Sequence, residues 1–99
     1  MFWVAGSGSS GDAEVVVYWR PGCLFCVKLR LSLRCTRLRY REVDIRRDQD
    51  AAAFVRSVAG GDETVPTVDV AGRALVNPSL RRLLDAVRER VPHLLAERA

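Results

Sequence analysis

A chain of 99 residues, 48% hydrophobic and 28% charged, has the makings of one globular domain and no room for a second core. No apolar run approaches the ~20 residues of a membrane span, so neither a membrane protein nor a membrane partner is expected. The net charge of +4 is carried almost wholly by arginine. No zinc-finger, helix-turn-helix or RNA-binding signature accompanies it, which sets nucleic acid aside as a partner.

Residues 1–13 read as a tail ahead of a single domain over residues 14–99. Met1-Phe2-Trp3-Val4-Ala5 lacks the basic start of a signal peptide, and Gly6 to Gly11 is a flexible Gly/Ser run. A continuously apolar strand follows, Glu14 to Trp19, of the kind buried on both faces. A helix is expected over Leu24 to Thr36, with Leu24, Val27, Leu31 and Cys35 on one apolar line and Phe25, Leu29 and Leu33 on a neighbouring one. Arg30, Arg34 and Arg37 share helical spacing and read as one solvated basic stripe. The strand over Tyr40 to Ile45 alternates apolar and polar residues, which fits a sheet edge.

A second helix begins at Asp48, a good N-cap, and runs to Ala59. Its Ala51, Phe54, Val55 and Val58 make the buried stripe, and Gly60-Gly61 stops it. Val65 to Val70, a turn at Ala71-Gly72, and Arg73 to Val76 read as a β-hairpin. Asn77 is expected to cap a last helix with Pro78 in its first turn, Leu80, Leu83, Leu84, Val87 and Val91 as its stripe, and Pro92 at its end. The order β-α-β-α-β-β-α, with a right-handed first crossover, predicts an α/β fold. Its four-stranded mixed sheet would be flanked by helices on both faces.

The chemistry sits at the first strand–helix junction, in Tyr18-Trp19-Arg20-Pro21-Gly22-Cys23-Leu24-Phe25-Cys26. The two cysteines are separated by two residues, and Cys23 falls at the helix start. There, unpaired backbone N–H groups and the positive end of the helix dipole favour thiolate over thiol, the form that attacks disulfides. Cys26, one turn deeper, is placed to resolve a mixed disulfide formed on Cys23. Zinc is the rival occupant, but Cys23, Cys26, Cys35 and His93 are the only Cys and His residues. Twelve residues of intact helix would set Cys35 ~18 Å from Cys23 at 1.5 Å per residue, too far to share an ion bound at ~2.3 Å. Cys35 is expected to be a small core residue. An odd cysteine count without an export signal points to a reducing cytoplasm. His93 reads as a surface or partly packed histidine.

The cysteine segment, together with Glu42-Val43-Asp44-Ile45, Thr64-Val65-Pro66-Thr67-Val68 and Leu75-Val76-Asn77-Pro78-Ser79, resembles the glutaredoxin family of the thioredoxin-like fold. Within that family it is most similar to mycoredoxins, over residues 14 to about 91. The resemblance implies a thiol-disulfide oxidoreductase with Cys23 as nucleophile and Cys26 as resolving thiol. Arg20 and Phe25 are implied on the substrate side, the first pairing with a carboxylate, the second lining the approach. Val65-Pro66 is implied as the family's cis-proline loop, offering the Val65 backbone to a bound peptide.

No bound cofactor or metal is implied. A low-molecular-weight thiol, mycothiol or glutathione, is the co-substrate. Glutathione-using members open the last helix with Gly-Gly and an acidic residue, whereas this chain has Val76-Asn77-Pro78-Ser79, a segment similar to that of mycoredoxins. The expected partners are thiolated proteins and either mycothiol with its disulfide reductase or thioredoxin reductase. The expected state is a monomer. A redoxin fed by thioredoxin reductase and an iron–sulfur carrier stand as alternatives.

Overall fold

The computed structural model describes residues 14–95; the tail expected over residues 1–13 and the last four residues lie outside them. The elements follow the expected order: β1 (Val15–Trp19), α1 (Leu24–Arg34), β2 (Arg41–Asp44), α2 (Gln49–Val58), β3 (Thr67–Val70), β4 (Arg73–Val76) and α3 (Leu80–Arg90). A short 3-10 turn, Pro92–Leu94, closes the described chain. The four strands form one sheet in the order β2-β1-β3-β4. β1 is parallel to β2 and antiparallel to β3, and β4 is antiparallel to β3. The milder alternation of β2 does mark a sheet edge.

The pleat sorts the core into two layers. Val15 and Val17 of β1, with Val68 and Val70 of β3, lie in one cluster with Leu29 and Leu33 of α1 and Leu83, Ala86 and Val87 of α3. Ala51, Ala52 and Val55 of α2 join Ile45, Val65 and Cys26 in the second, with Tyr18 and Phe54 at its margin, their rings 5.1 Å apart. Tyr18 is one residue out of phase with Val17, so its side chain takes the opposite face of the sheet. The hairpin turn places both Ala71 and Gly72 at positive φ, 51° and 95°. That is the pairing of a two-residue turn whose twist matches its strands.

Local chemistry moves several boundaries. α2 is capped by Asp48, whose side chain accepts from the Ala51 N–H. α3 is capped by Ser79, accepting from the Arg82 N–H, and not by Asn77. Asn77 instead takes a left-handed conformation (φ 49°) and donates its N–H to the Pro66 carbonyl at 2.7 Å. Pro78 therefore precedes the helix and does not open it. α1 ends at Arg34, short of Thr36, because the Thr36 hydroxyl turns back onto the Leu33 carbonyl at 2.8 Å.

The largest correction concerns which side of α1 is buried. Cys26, Leu29 and Leu33 face inward, at spacing i, i+3, i+7. The line expected to be buried faces water: Leu24 is 81% exposed, Leu31 54% and Val27 45%. Cys35 is exposed and serves as the C-cap residue, so it is not a core residue. Both lines are apolar, and the helix turns inward the one that carries Cys26, Leu29 and Leu33 into the two core clusters. The basic stripe also dissolves. Arg37 lies beyond the helix, and Arg30 is committed to Glu42 (Nη2–Oε1 3.0 Å, Nε–Oε2 3.1 Å) while stacking over the Trp19 ring at 4.0 Å. This bidentate, stacked arginine ties α1 to the edge strand β2.

Candidate active site

β1 runs out at Trp19, and the turn that follows carries Gly22 at φ 87°, a conformation costly for any residue with a Cβ. The turn delivers Cys23 to the N-cap of α1 in extended conformation (φ −93°, ψ 114°). An N-cap is ordinarily an oxygen-bearing side chain that accepts from the third helical N–H. Here a sulfur does it: the Cys26 N–H donates to Cys23 Sγ at 3.3 Å. On its other side Cys23 Sγ donates to the Val65 carbonyl at 3.6 Å, across 42 residues of sequence. Cys23 is partly exposed and Cys26 is buried, 1% accessible; both are free thiols. A partly exposed sulfur thus accepts from the backbone of a buried cysteine one turn along the helix.

Burial pushes the Cys26 thiol up to about 12, and the hydrogen bond with Cys23 adds to it; the nearby Arg20 backbone and charge pull weakly the other way. Tyr18 is likewise raised to about 12, first by burial and then by Asp69. Both groups hold their protons more tightly folded than unfolded, where they ionise near 9.0 and 10.0. Their contribution to stability is complete below pH 9 and is lost as pH rises toward 12. A series of Tm values should therefore fall across that window, and a flat profile would contradict the burial described.

The Val65–Pro66 peptide is cis. Its strand-side neighbour Thr67 is fully buried and donates its hydroxyl to the Thr64 carbonyl at 2.7 Å. The loop is held from three directions: by Cys23 at Val65, by Asn77 at Pro66 and by Thr67 at Thr64. Beside it runs a groove of ≈ 260 Å³ lined by Phe25, Lys28, Pro66, Asn77, Pro78 and Leu80, among others. Phe25, 65% exposed, forms part of its wall. The fold thus gathers Cys23, Cys26, Val65 and Pro66 at one end of the sheet, with Phe25 along the approach.

Arg20 lies beside Glu63. Its guanidinium lies 3.8 Å from Glu63, whose other oxygen bonds Arg56. Glu63 was not singled out from the sequence. The available signal was a carboxylate one residue before Thr64-Val65-Pro66, in a chain whose charge is dominated by arginine. Trp19 is half-buried, packed against the Cys26 cluster on one side and covered by Arg30. Among the described residues, no group of three or more His, Cys, Asp or Glu is placed to hold a metal ion. No helix there is long and apolar enough to cross a membrane.

Comparison with known proteins agrees with this geometry. The glutaredoxin family model matches residues 15–75, from the first strand through the cis-proline loop into the hairpin. A Mycobacterium tuberculosis protein bearing the glutaredoxin name, found in two strains, is 46% identical over 68 residues, 68% of this chain and 81% of that one. The chain belongs to the glutaredoxin family. The fold of this glutaredoxin is shared by a thioredoxin-like protein (TM-score 0.65, 23% identity, 75% of this chain and 99% of that one). It is shared too by a glutaredoxin of Archaeoglobus fulgidus (TM-score 0.66, 20% identity, 79% and 89%). The family is one of thiol-disulfide oxidoreductases.

Proposed function

We propose that this glutaredoxin removes a low-molecular-weight thiol from protein mixed disulfides, with mycothiol as the thiol and Cys23 as the nucleophile. The observation that carries the reading is the position of Cys23 Sγ, partly exposed and held between the Cys26 N–H and the Val65 carbonyl. The Cys23 thiolate attacks the small thiol's sulfur in the mixed disulfide. A Cys23–small-thiol disulfide forms, the original S–S bond breaks, and the protein sulfur leaves as a thiolate that takes up a proton. A second small thiol, as thiolate, then attacks that adduct, releasing the symmetric small disulfide and returning Cys23 as thiolate. Cys26 offers a second route: as thiolate it attacks the Cys23 sulfur of the adduct, and the bond to the small thiol breaks. The small thiol leaves as a thiolate that takes up a proton, and an external dithiol reduces the resulting Cys23–Cys26 disulfide. The Val65 backbone pairs with the peptide part of the substrate, and Phe25 and Pro66 wall its approach.

Two features favour mycothiol over glutathione. The loop Val76-Asn77-Pro78-Ser79 stands where glutathione-using relatives carry Gly-Gly and an acidic residue. Arg20, the expected carboxylate partner, is shared with Glu63, which suits a sugar-based thiol without carboxylates better than an anionic tripeptide. The relative at 46% identity comes from a mycobacterium. The cell compartment consistent with this chemistry is a reducing cytoplasm.

The test is reduction of hydroxyethyl disulfide coupled in turn to mycothiol with its reductase, glutathione with its reductase, and thioredoxin reductase. The mycothiol system should be fastest by at least tenfold. Cys26→Ser should keep its rate within about threefold, since the adduct on Cys23 is resolved by small thiol. A faster glutathione system, or loss of mycothiol-coupled turnover in Cys26→Ser, contradicts the proposal.

A further inference from the structure

An apolar line facing water along a whole helix is an unusual expense in a small domain, and on α1 it starts at the reactive sulfur. Leu24, the residue after Cys23, is 81% exposed; Val27 and Leu31 continue the line one and two turns on, and Phe25 stands beside its start. At about 100° per residue these three side chains fall within about 60° of each other around the helix. Lys28 lies about 40° to one side of Leu24 and Arg34 about 80° to the other by the same construction. Arg30, on the Arg34 side, is spent on Glu42. α1 itself contains no acidic residue. The face is therefore an apolar ridge between basic flanks, continuous with the active site.

We propose that this ridge seats the protein half of the mixed disulfide, and that the clients it accepts present an apolar stripe in an acidic rim. The proposal rests on the mixed-disulfide reading above. In that route the reductant is a small thiol, so the client is the macromolecule that must find Cys23. Spacing i, i+3, i+7 matches the ridge of an amphipathic helix laid alongside. Charge selects among occupants. A second copy of this chain would bring Lys28 and Arg34 against their own kind. Residues 1–13 of this chain contain a single acidic side chain, Asp12, so the chain's own start cannot complement both basic flanks. An acidic rim gains from both flanks, and that gain is screened by salt.

The experiment uses the full-length protein and three synthetic peptides. Each is a helix-forming peptide with an N-terminal cysteine carried as its mixed disulfide with the small thiol. One has leucines at i, i+3, i+7 flanked by glutamates, the second has lysines for the glutamates, and the third has serines for the leucines. The wild-type protein should show a KM about tenfold lower for the acidic apolar peptide than for the other two at low salt, with the charge preference shrinking at 0.5 M salt. Leu31→Ser should lose most of the advantage, and Arg34→Glu should reverse the charge preference. Both variants should reduce hydroxyethyl disulfide at the wild-type rate.

Equal KM values for the three peptides overturn the proposal. So does a concentration-dependent dimer that Leu31→Ser dissolves. Methyl shifts of Leu24, Val27 and Leu31 that move when residues 1–13 are removed do the same, by giving the ridge to the chain's own start. Failure of the mixed-disulfide reading looks different: hydroxyethyl disulfide turnover with the small thiol would itself be missing in the wild type.

Discussion

Cys23→Ser should reduce turnover by three orders of magnitude or more on small and protein mixed disulfides alike. The expected loss, on the order of 10³ or greater, follows from removing the only atom that forms the covalent intermediate. The substitution is also a clean one. Serine is among the best N-cap residues, and its oxygen can accept from the Cys26 N–H as the sulfur does now at 3.3 Å. The helix start is preserved, so the thermal midpoint should stay within a few degrees of wild type while the chemistry disappears. Reduction of hydroxyethyl disulfide, alongside a thermal scan, checks both halves. Appreciable residual turnover would move the nucleophile elsewhere.

Leu83→Ala is the substitution expected to cost most in stability. Leu83 is fully buried, in the cluster where α3 meets Leu29 and Leu33 of α1 and the valines of β1 and β3. Truncating such a side chain removes its transfer energy and leaves a cavity that packed helices fill poorly, a loss of about 2–5 kcal/mol. Against a total of about 5–15 kcal/mol for a domain, that consumes a large share. Urea denaturation should show the midpoint fall by this amount with little change in slope. The matching change on the outward face, Leu31→Ala, should lie within about 0.5 kcal/mol of wild type. If the two variants cost the same, α1 does not present the face described.

That comparison bears on what could be read from the amino-acid order. The element order, the edge position of β2 and the Asp48 cap were legible, and the Val65-Pro66 loop was marked by its motif. Each rests on a strong local signal: alternation, a capping side chain, a motif at a strand end. The inward face of α1 was not legible, because two apolar lines compete on a helix that lacks acidic residues altogether. Hydrophobicity cannot choose between Leu24-Val27-Leu31 and Cys26-Leu29-Leu33. The choice is made by α3, whose Leu83 and Val87 share a cluster with Leu29 and Leu33. One constraint was available: a resolving thiol one turn below the nucleophile carries Leu29 and Leu33 inward with it.

Arg20 illustrates the same limit in electrostatics. Its position three residues before Cys23 was plain, but its partner Glu63 comes from the segment ahead of the Val65-Pro66 loop, far along the chain. Long-range ion pairs leave no periodic trace. Asn77 and Ser79 show the local counterpart, since either residue type caps a helix well. The hydrogen bond from the Asn77 N–H to the Pro66 carbonyl decides between them by committing Asn77 to the loop. The consequence is functional, because that bond fixes the wall of the groove beside the cis-proline.

The most direct measurement is to locate the first covalent adduct. Cys26→Ser, reduced and then given one equivalent of a small-thiol disulfide, should gain the mass of one thiol, and peptide mapping should place it on Cys23. An adduct on the exposed Cys35, with Cys23 left free, would contradict the account at its root.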